Sequence, residues 1–188
     1  MINLVQITNV ELFMDNATIW SANNDVLYLA KIEKPMVSIG IKSDEIEYDK
    51  EYVQEKRLPI KQICRTGGVI VHVPGDVCFA MVCENTKENY LFFQKLNNRI
   101  AFGLSCDLIG NDFIQDKKYK IGSNMVCVND KNNLVWMCQI NMNPMSEDDI
   151  EMIKKICLKE RKYEPASWIG GTKIPFVQNL FDIIVMTK

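Results

Sequence analysis

The chain has 188 residues, is 47% hydrophobic and 24% charged, and carries a formal net charge of −2 at pH 7. That balance fits one globular domain with a sizeable core and excludes the strongly basic signature of a nucleic-acid binder. No apolar run reaches the roughly 18 residues that span a bilayer, and no signal peptide opens the chain, so a cytoplasmic protein with no membrane role is expected.

The start, Met1-Ile2-Asn3-Leu4-Val5, reads as a first strand. Val26 to Ile32 and Met36 to Ile41 read as two strands joined by the Lys34-Pro35 turn, hence a hairpin. Ser43-Asp44-Glu45-Ile46 opens a charged helix with Ser43 as N-cap, and Leu58-Pro59 stops it. Ile60 to Cys64 is a short strand. It leads into the densest stretch of the chain, Cys64-Arg65-Thr66-Gly67-Gly68-Val69-Ile70-Val71-His72-Val73-Pro74-Gly75-Asp76-Val77. A strand-like run, Val69-Ile70-Val71, lies there between two turn signals, and His72 is the only histidine in the sequence. Adjacent glycines let backbone N–H groups approach a ligand closely, and Arg65 can hold an anion or a carbonyl oxygen. The same residues also read as a β-hairpin with Gly-rich ends and one packed histidine.

Val77 to Cys83 is an apolar strand. Thr86 to Ala101 turns helical, with Tyr90, Phe93, Leu96, Asn97 and Ile100 near helical spacing. Leu104–Ile114, Ile121–Val128 and Leu134–Asn141 are three further strand candidates, the last two joined at Lys131-Asn132-Asn133. Ser146-Glu147-Asp148-Asp149 opens a second helix with acids at its positive end and Lys154 and Lys155 toward the other. Pro175 to Met186 reads as a last helix, with a strand as the alternative. No repeat or linker divides the chain, so residues 1–188 are expected to form one domain. The order implies an α+β fold: a mostly antiparallel sheet with helices inserted between strand groups.

Seven cysteines are present, with no CxxC pair, and one histidine cannot supply a Cys/His zinc site. They read as reduced, mostly buried thiols.

Three blocks in order resemble the lipoate/biotin protein ligase superfamily, in its lipoate–protein ligase and octanoyltransferase branch. The first is Pro35-Met36-Val37-Ser38-Ile39-Gly40. The second is the Arg65–Gly75 stretch. It falls between the ligase pattern Arg-x-Ser-Gly-Gly-Gly-x-x-x-His and the transferase pattern Arg-Gly-Gly-x-x-x-x-His-x-Pro-Gly. The third is Gly110-Asn111-Asp112 followed by Lys120-Ile121-Gly122-Ser123-Asn124. The resemblance implies a class II synthetase/biotin ligase-like catalytic domain without the accessory C-terminal domain of many ligases, and hence a possible separate accessory subunit. It implies an enzyme that joins lipoate or octanoate to a lysine of a lipoyl-domain protein through acyl-AMP, using ATP and Mg²⁺.

By the same resemblance, Lys120 is the catalytic candidate, since a fixed ammonium stabilises charge developing on a carbonyl or phosphate oxygen. Arg65, Thr66, Gly67, Gly68, His72 and Gly122 are substrate-binding candidates. Asn111 and Asp112 are candidates for the nucleotide, and Asp112 for its Mg²⁺, an ion that needs only one or two carboxylates plus phosphates. The bland alternatives remain: a solvated strand-end lysine, a turn aspartate, a core histidine. The apolar strands around Ile39, Val71 and Phe79 can wall a tunnel for an acyl chain, or simply be core.

Departures from the pattern keep two other readings open. Ile41 stands where ligases carry arginine, and Val135 to Asn141 lacks the family's His-Gly. One alternative is an ATP-independent octanoyl or lipoyl transferase using Cys157, although Pro-Cys-Gly is absent around it. The other is a catalytically degenerate member that binds an acyl or cofactor ligand. Biotin is least favoured, because no Gly-Arg-Gly-Arg adenylate loop is present.

Overall fold

The computed structural model describes residues 3–7, 26–40, 48–63, 69–142, 144–157 and 162–166. It is an α+β structure built on two sheets. The large one has the order β1-β2-β6-β10-β9-β8-β7. Its strands are β1 (Asn3–Ile7), β2 (Val26–Lys31), β6 (Asp76–Glu84), β7 (Asp107–Ile109), β8 (Asp112–Gln115), β9 (Tyr119–Val128) and β10 (Asn133–Asn141). Pairing is antiparallel from β2 across to β7, while β1 runs parallel to β2. A two-residue strand, β11 (Glu164–Pro165), lies parallel against β9 at Tyr119 and Lys120. The small sheet has the order β4-β3-β5, with β3 (Met36–Gly40), β4 (Ile60–Ile63) and β5 (Val69–His72).

The expected hairpin between β2 and β3 does not form. β2 pairs with β1 and β6, whereas β3 pairs with β4 and β5 in the other sheet. All five residues of β3 are buried, so both its faces need cover that a two-stranded hairpin cannot give. Gly75 N–H donates to the Ile32 carbonyl and Ile32 N–H to that of Asp76, each at 2.8 Å, which ties the crossing point to the Pro74-Gly75 turn. That turn likewise carries the chain from β5 in one sheet to β6 in the other, so the second expected hairpin is also a crossover.

Among the described residues there are three helices: α1 (Lys50–Glu55), α2 (Lys87–Gly103) and α3 (Glu147–Ile156). Asp49 caps α1 by accepting from Tyr52 N–H, and the expected cap Ser43 lies outside the described residues. Thr86 caps α2 through Asn89 N–H. Its buried positions Phe93, Leu96, Asn97, Ile100 and Ala101 repeat at helical spacing, while Tyr90 is exposed. Ser146 and Asp149 form a reciprocal capping box on α3. The strand expected over Leu104–Ile114 is two strands, because Gly110 at φ +61° turns the chain back between β7 and β8. The expected terminal helix over Pro175–Met186 lies outside the described residues.

The main core lies between the large sheet and α2. Phe93 stacks on Trp136 with ring centroids 6.0 Å apart, and both are fully buried with Leu96, Ile100, Phe113 and Ile121. A second cluster, including Ala80, Val82 and Val135, covers the other face of the same strands. The small sheet packs Val37, Ile39 and Val71 against Val53 of α1 and Ile153 and Ile156 of α3. No described helix is long and apolar enough to cross a membrane.

Candidate active site

A cleft of about 540 Å³ opens where the two sheets meet. Val69, Ile70 and Val71 of β5 line it from the small sheet. Ile109, Gly110 and Asp112 come from the β7–β8 turn, Lys120, Gly122 and Ser123 from β9, and Gln139 and Asn141 from the end of β10. Met145, Ile153 and Cys157 reach it from around α3, and Lys162, Tyr163 and Pro165 from the segment at β11. The lining is largely apolar with a few converging polar groups, as in small-molecule sites generally.

Lys120 and Asp112 form the charged pair of the cleft. The Lys120 ammonium lies 2.7 Å from Asp112 Oδ1, and each side chain is about one-third exposed. Their meeting depends on an irregularity of the β8–β9 ladder. Asp112 pairs with Ser123 and Phe113 with Gly122, but Ile114 pairs with Lys120, leaving Ile121 as the extra residue. In an unbroken ladder Lys120 and Asp112 face opposite sides of the sheet, because side chains alternate along a strand. The bulge turns Ile121 into the core and puts Lys120 on Asp112's face.

Gly122 is required by close packing. A Cβ there would run into the Gln139 carbonyl oxygen on the neighbouring strand. Gly122 therefore keeps β9 and β10 in contact beneath the cleft.

Gln139, which lines the cleft, leads to a buried polar group that the family pattern does not include. Asp76, at the start of β6, is 1% exposed. Its Oδ2 accepts from Val73 N–H at 3.1 Å and from Gln139 Nε2 at 2.6 Å. Burial pushes its carboxyl up to about 7; the two hydrogen bonds pull the other way, and the charge of Asp149 adds a small upward push. Gln139 Nε2 also lies 3.4 Å from Asn141 Oδ1, and Asn141 Nδ2 donates to the Ala166 carbonyl at 3.0 Å. Ala166 N–H in turn donates to the Lys120 carbonyl. Two polar residues in the otherwise apolar run Leu134–Asn141 were the available signal.

The other candidates are placed as follows. Arg65, Thr66, Gly67 and Gly68 lie outside the described residues. His72 is buried on β5, its Nε2 2.8 Å from Ser38 Oγ on β3, and is not among the residues lining the cleft. Asn111 contributes its carbonyl to a hydrogen-bond network behind the cleft rather than to the lining. Of the apolar tunnel candidates, Val71 lines the cleft, while Ile39 and Phe79 belong to the cores. Cys157 follows the last turn of α3, bridges to Tyr48 and lines the cleft. Cys78 and Cys138 are buried thiols, and burial pushes both up.

Asp112, already paired with an ammonium, does not by itself make a resident metal site. Among the described residues no group of three or more His, Cys, Asp or Glu side chains converges as one.

The family model for the lipoyl protein ligase A/B catalytic domain matches residues 10–164. Solved structures share the fold. A lipoate-protein ligase A bound with ATP has a TM-score of 0.74 and 18% identity over 99% of this chain and 84% of that one. Ta0514 from T. acidophilum, with bound lipoic acid, has a TM-score of 0.73 and 19% identity over 99% and 84%. The bipartite lipoate protein ligase of Thermoplasma acidophilum, studied with its E2 lipoyl domain, has a TM-score of 0.72 and 19% identity over 99% and 83%. No curated protein sequence matches the chain.

Proposed function

Because the chain belongs to the lipoyl protein ligase A/B catalytic-domain family, we propose that it joins lipoate or octanoate to a lysine of a lipoyl-domain protein through an acyl-AMP intermediate. The observation that carries this reading is the Lys120–Asp112 pair in a largely apolar cleft between the sheets. An apolar wall suits a medium acyl chain, and an ammonium suits its carboxylate.

In the first step an acid oxygen attacks the α-phosphorus of ATP and pyrophosphate leaves. In the second the acceptor lysine's amine attacks the acyl carbonyl and AMP leaves. Both transition states gather negative charge on oxygen. Lys120, held against Asp112, is the residue assigned to neutralise it. Arg65, Thr66, Gly67 and Gly68, directly before β5, are assigned to the acyl and adenylate groups on the family pattern, as is Gly122 on β9. Asn111 and Asp112 at the hairpin are assigned to the nucleotide side. A metal ion accompanying the phosphates of ATP belongs to the substrate. The structural neighbours bind lipoic acid and ATP and include a ligase studied with its E2 lipoyl domain. They support the same ligands and a lipoyl-domain acceptor here, and the bipartite neighbour supports a separate accessory subunit.

The test is incubation with ATP, Mg²⁺, lipoate or octanoate and an unmodified lipoyl domain, read by mass spectrometry. The expected result is one acyl adduct per acceptor, with Lys120→Ala slowing it by about 10²–10³-fold. Full activity in Lys120→Ala removes the assigned role. Tight ligand binding with no turnover by wild type would mark a catalytically degenerate family member.

Cys157 in the cleft favours a second reading, transfer without ATP. Its thiolate would take the acyl group from a carrier thioester, releasing the carrier thiol, and the acceptor amine would then displace Cys157. A covalent acyl adduct on the intact protein, lost in Cys157→Ser, would favour this route over the first.

A further inference from the structure

Behind the cleft a chain of hydrogen bonds runs through the main core to the turn that carries Asp112. Trp136 Nε1–H donates to Asn97 Oδ1 at 2.8 Å. Asn97 Nδ2 donates to Asn124 Oδ1 at 2.8 Å, and Asn124 Nδ2 donates to the Asn111 carbonyl at 3.1 Å. Asn124's own N–H donates to the same carbonyl at 2.8 Å. The direction of the chain is fixed from one end. An indole N–H can only donate, so Asn97 must turn its oxygen to Trp136 and its amide nitrogen to Asn124. Asn124 must then turn its oxygen to Asn97 and its nitrogen to Asn111. Trp136, Asn97 and Asn124 are all buried.

A buried polar chain is stable only when each member is satisfied, and apolar residues are the simpler way to fill a core. This one ends one peptide bond from Asp112. It also ends where the β8–β9 ladder is least able to hold register. The bulge lies one residue pair past Asp112, and the Gly110 turn lies just before it.

We propose that Asn97 and Asn124 are positioning residues for the Asp112–Lys120 pair. They clamp the Asn111–Asp112 peptide from the α2 side of the sheet, and so set where Asp112 holds the Lys120 ammonium in the cleft. The inference rests on the acyl-ligase reading for its kinetic consequence, but not for the geometry.

The experiment combines Asn124→Ala with Asp112→Asn, singly and together, assayed for acyl transfer well below each variant's Tm. Asn124→Ala is expected to lower kcat about tenfold with KM for the acid nearly unchanged, because a misplaced ammonium loses transition-state stabilisation first. If Asn124 works through Asp112, the same substitution in the Asp112→Asn background costs less than about twofold. A purely structural role lowers Tm but leaves kcat of the folded protein unchanged, and that result overturns the proposal. So does an equal loss in both backgrounds. Trp136→Phe, which keeps the ring against Phe93 but removes the directing N–H, serves where Asn124→Ala fails to fold.

If wild type shows no acyl transfer, the ligase reading fails and positioning is read directly. Lysines are labelled with limiting acetic anhydride and Lys120 is quantified by peptide mapping. Release of Lys120 from Asp112 is expected to raise its labelling several-fold in Asn124→Ala, toward the Asp112→Asn rate. An unchanged rate overturns the inference.

Discussion

Asp76→Asn tests the buried polar group beside the cleft through the pH dependence of stability. Asp76 is 1% exposed, and burial raises its carboxyl from 3.8 to about 7. Between those values the folded protein keeps a proton that the unfolded chain has released. Stability therefore falls as pH rises through this window, is lowest once the pH passes the folded value, and is free of the penalty below the unfolded value. A shift of that size corresponds to at most about 4 kcal/mol, at about 1.4 kcal/mol per unit. One carboxylate oxygen takes both known bonds, from Val73 N–H and Gln139 Nε2. An asparagine oxygen can accept both in its place. The variant loses the charge-assisted part of the 2.6 Å bond but no longer buries an ionised group. The expected net gain is about 1–3 kcal/mol at pH 8, shrinking toward zero near pH 4. Urea denaturation of both proteins at half-unit steps from pH 4 to 8 measures this. Using the difference between the two cancels the titration that both proteins share. A difference that stays flat across the range would refute the assignment of a proton-holding Asp76.

The remaining predictions concern single elements. Gly122→Ala should destabilise by about 3 kcal/mol, since the new methyl meets the Gln139 backbone and the strands cannot part without breaking their ladder; an unchanged Tm would contradict that packing. Ser146→Ala removes the capping box of α3 and should lower stability by about 1 kcal/mol in urea titration, with Asp149→Ala overlapping it rather than adding to it. Cys157→Ser should keep ATP-dependent acylation within about threefold, since a hydroxyl is nearly isosteric and the proposed first reaction does not use the thiol; collapse of that activity would transfer the chemistry to Cys157.

Much of the fold was legible because its elements are locally consistent. Thr86 before a helical repeat, Ser146 followed by acids, and alternation broken by Gly and Asn turns are each decided within a few residues. The two false hairpins show the limit. Ile32–Pro35 and Val73–Gly75 carry ordinary turn chemistry, and nothing local tells a turn within one sheet from a crossover between two. What decides it is the need to cover both faces of β3, a tertiary demand. At α1 the legible part is the Asp49 cap and the burial of Val53 against the small sheet, while the expected cap Ser43 lies outside the described residues.

The site was legible as residue types but not as geometry. Gly110-Asn111-Asp112 and Lys120-Ile121-Gly122 stand out in the sequence, yet strict alternation puts Asp112 and Lys120 on opposite faces of an antiparallel pair. Only the bulge at Ile121 makes them neighbours. The bulge has its own physical cause. Ile121 is fully buried with Phe113 in the core beneath α2, and Gly122 opposite Phe113 offers no side chain to compete for that space. The glycine thus serves twice, allowing close approach to β10 and freeing room for Ile121 to turn inward. The charged pair in the cleft is in this sense produced by apolar packing on the opposite side of the sheet. A smaller residue at 121 that prefers the regular ladder should therefore swing Lys120 away from Asp112 and lower transfer activity before it lowers stability.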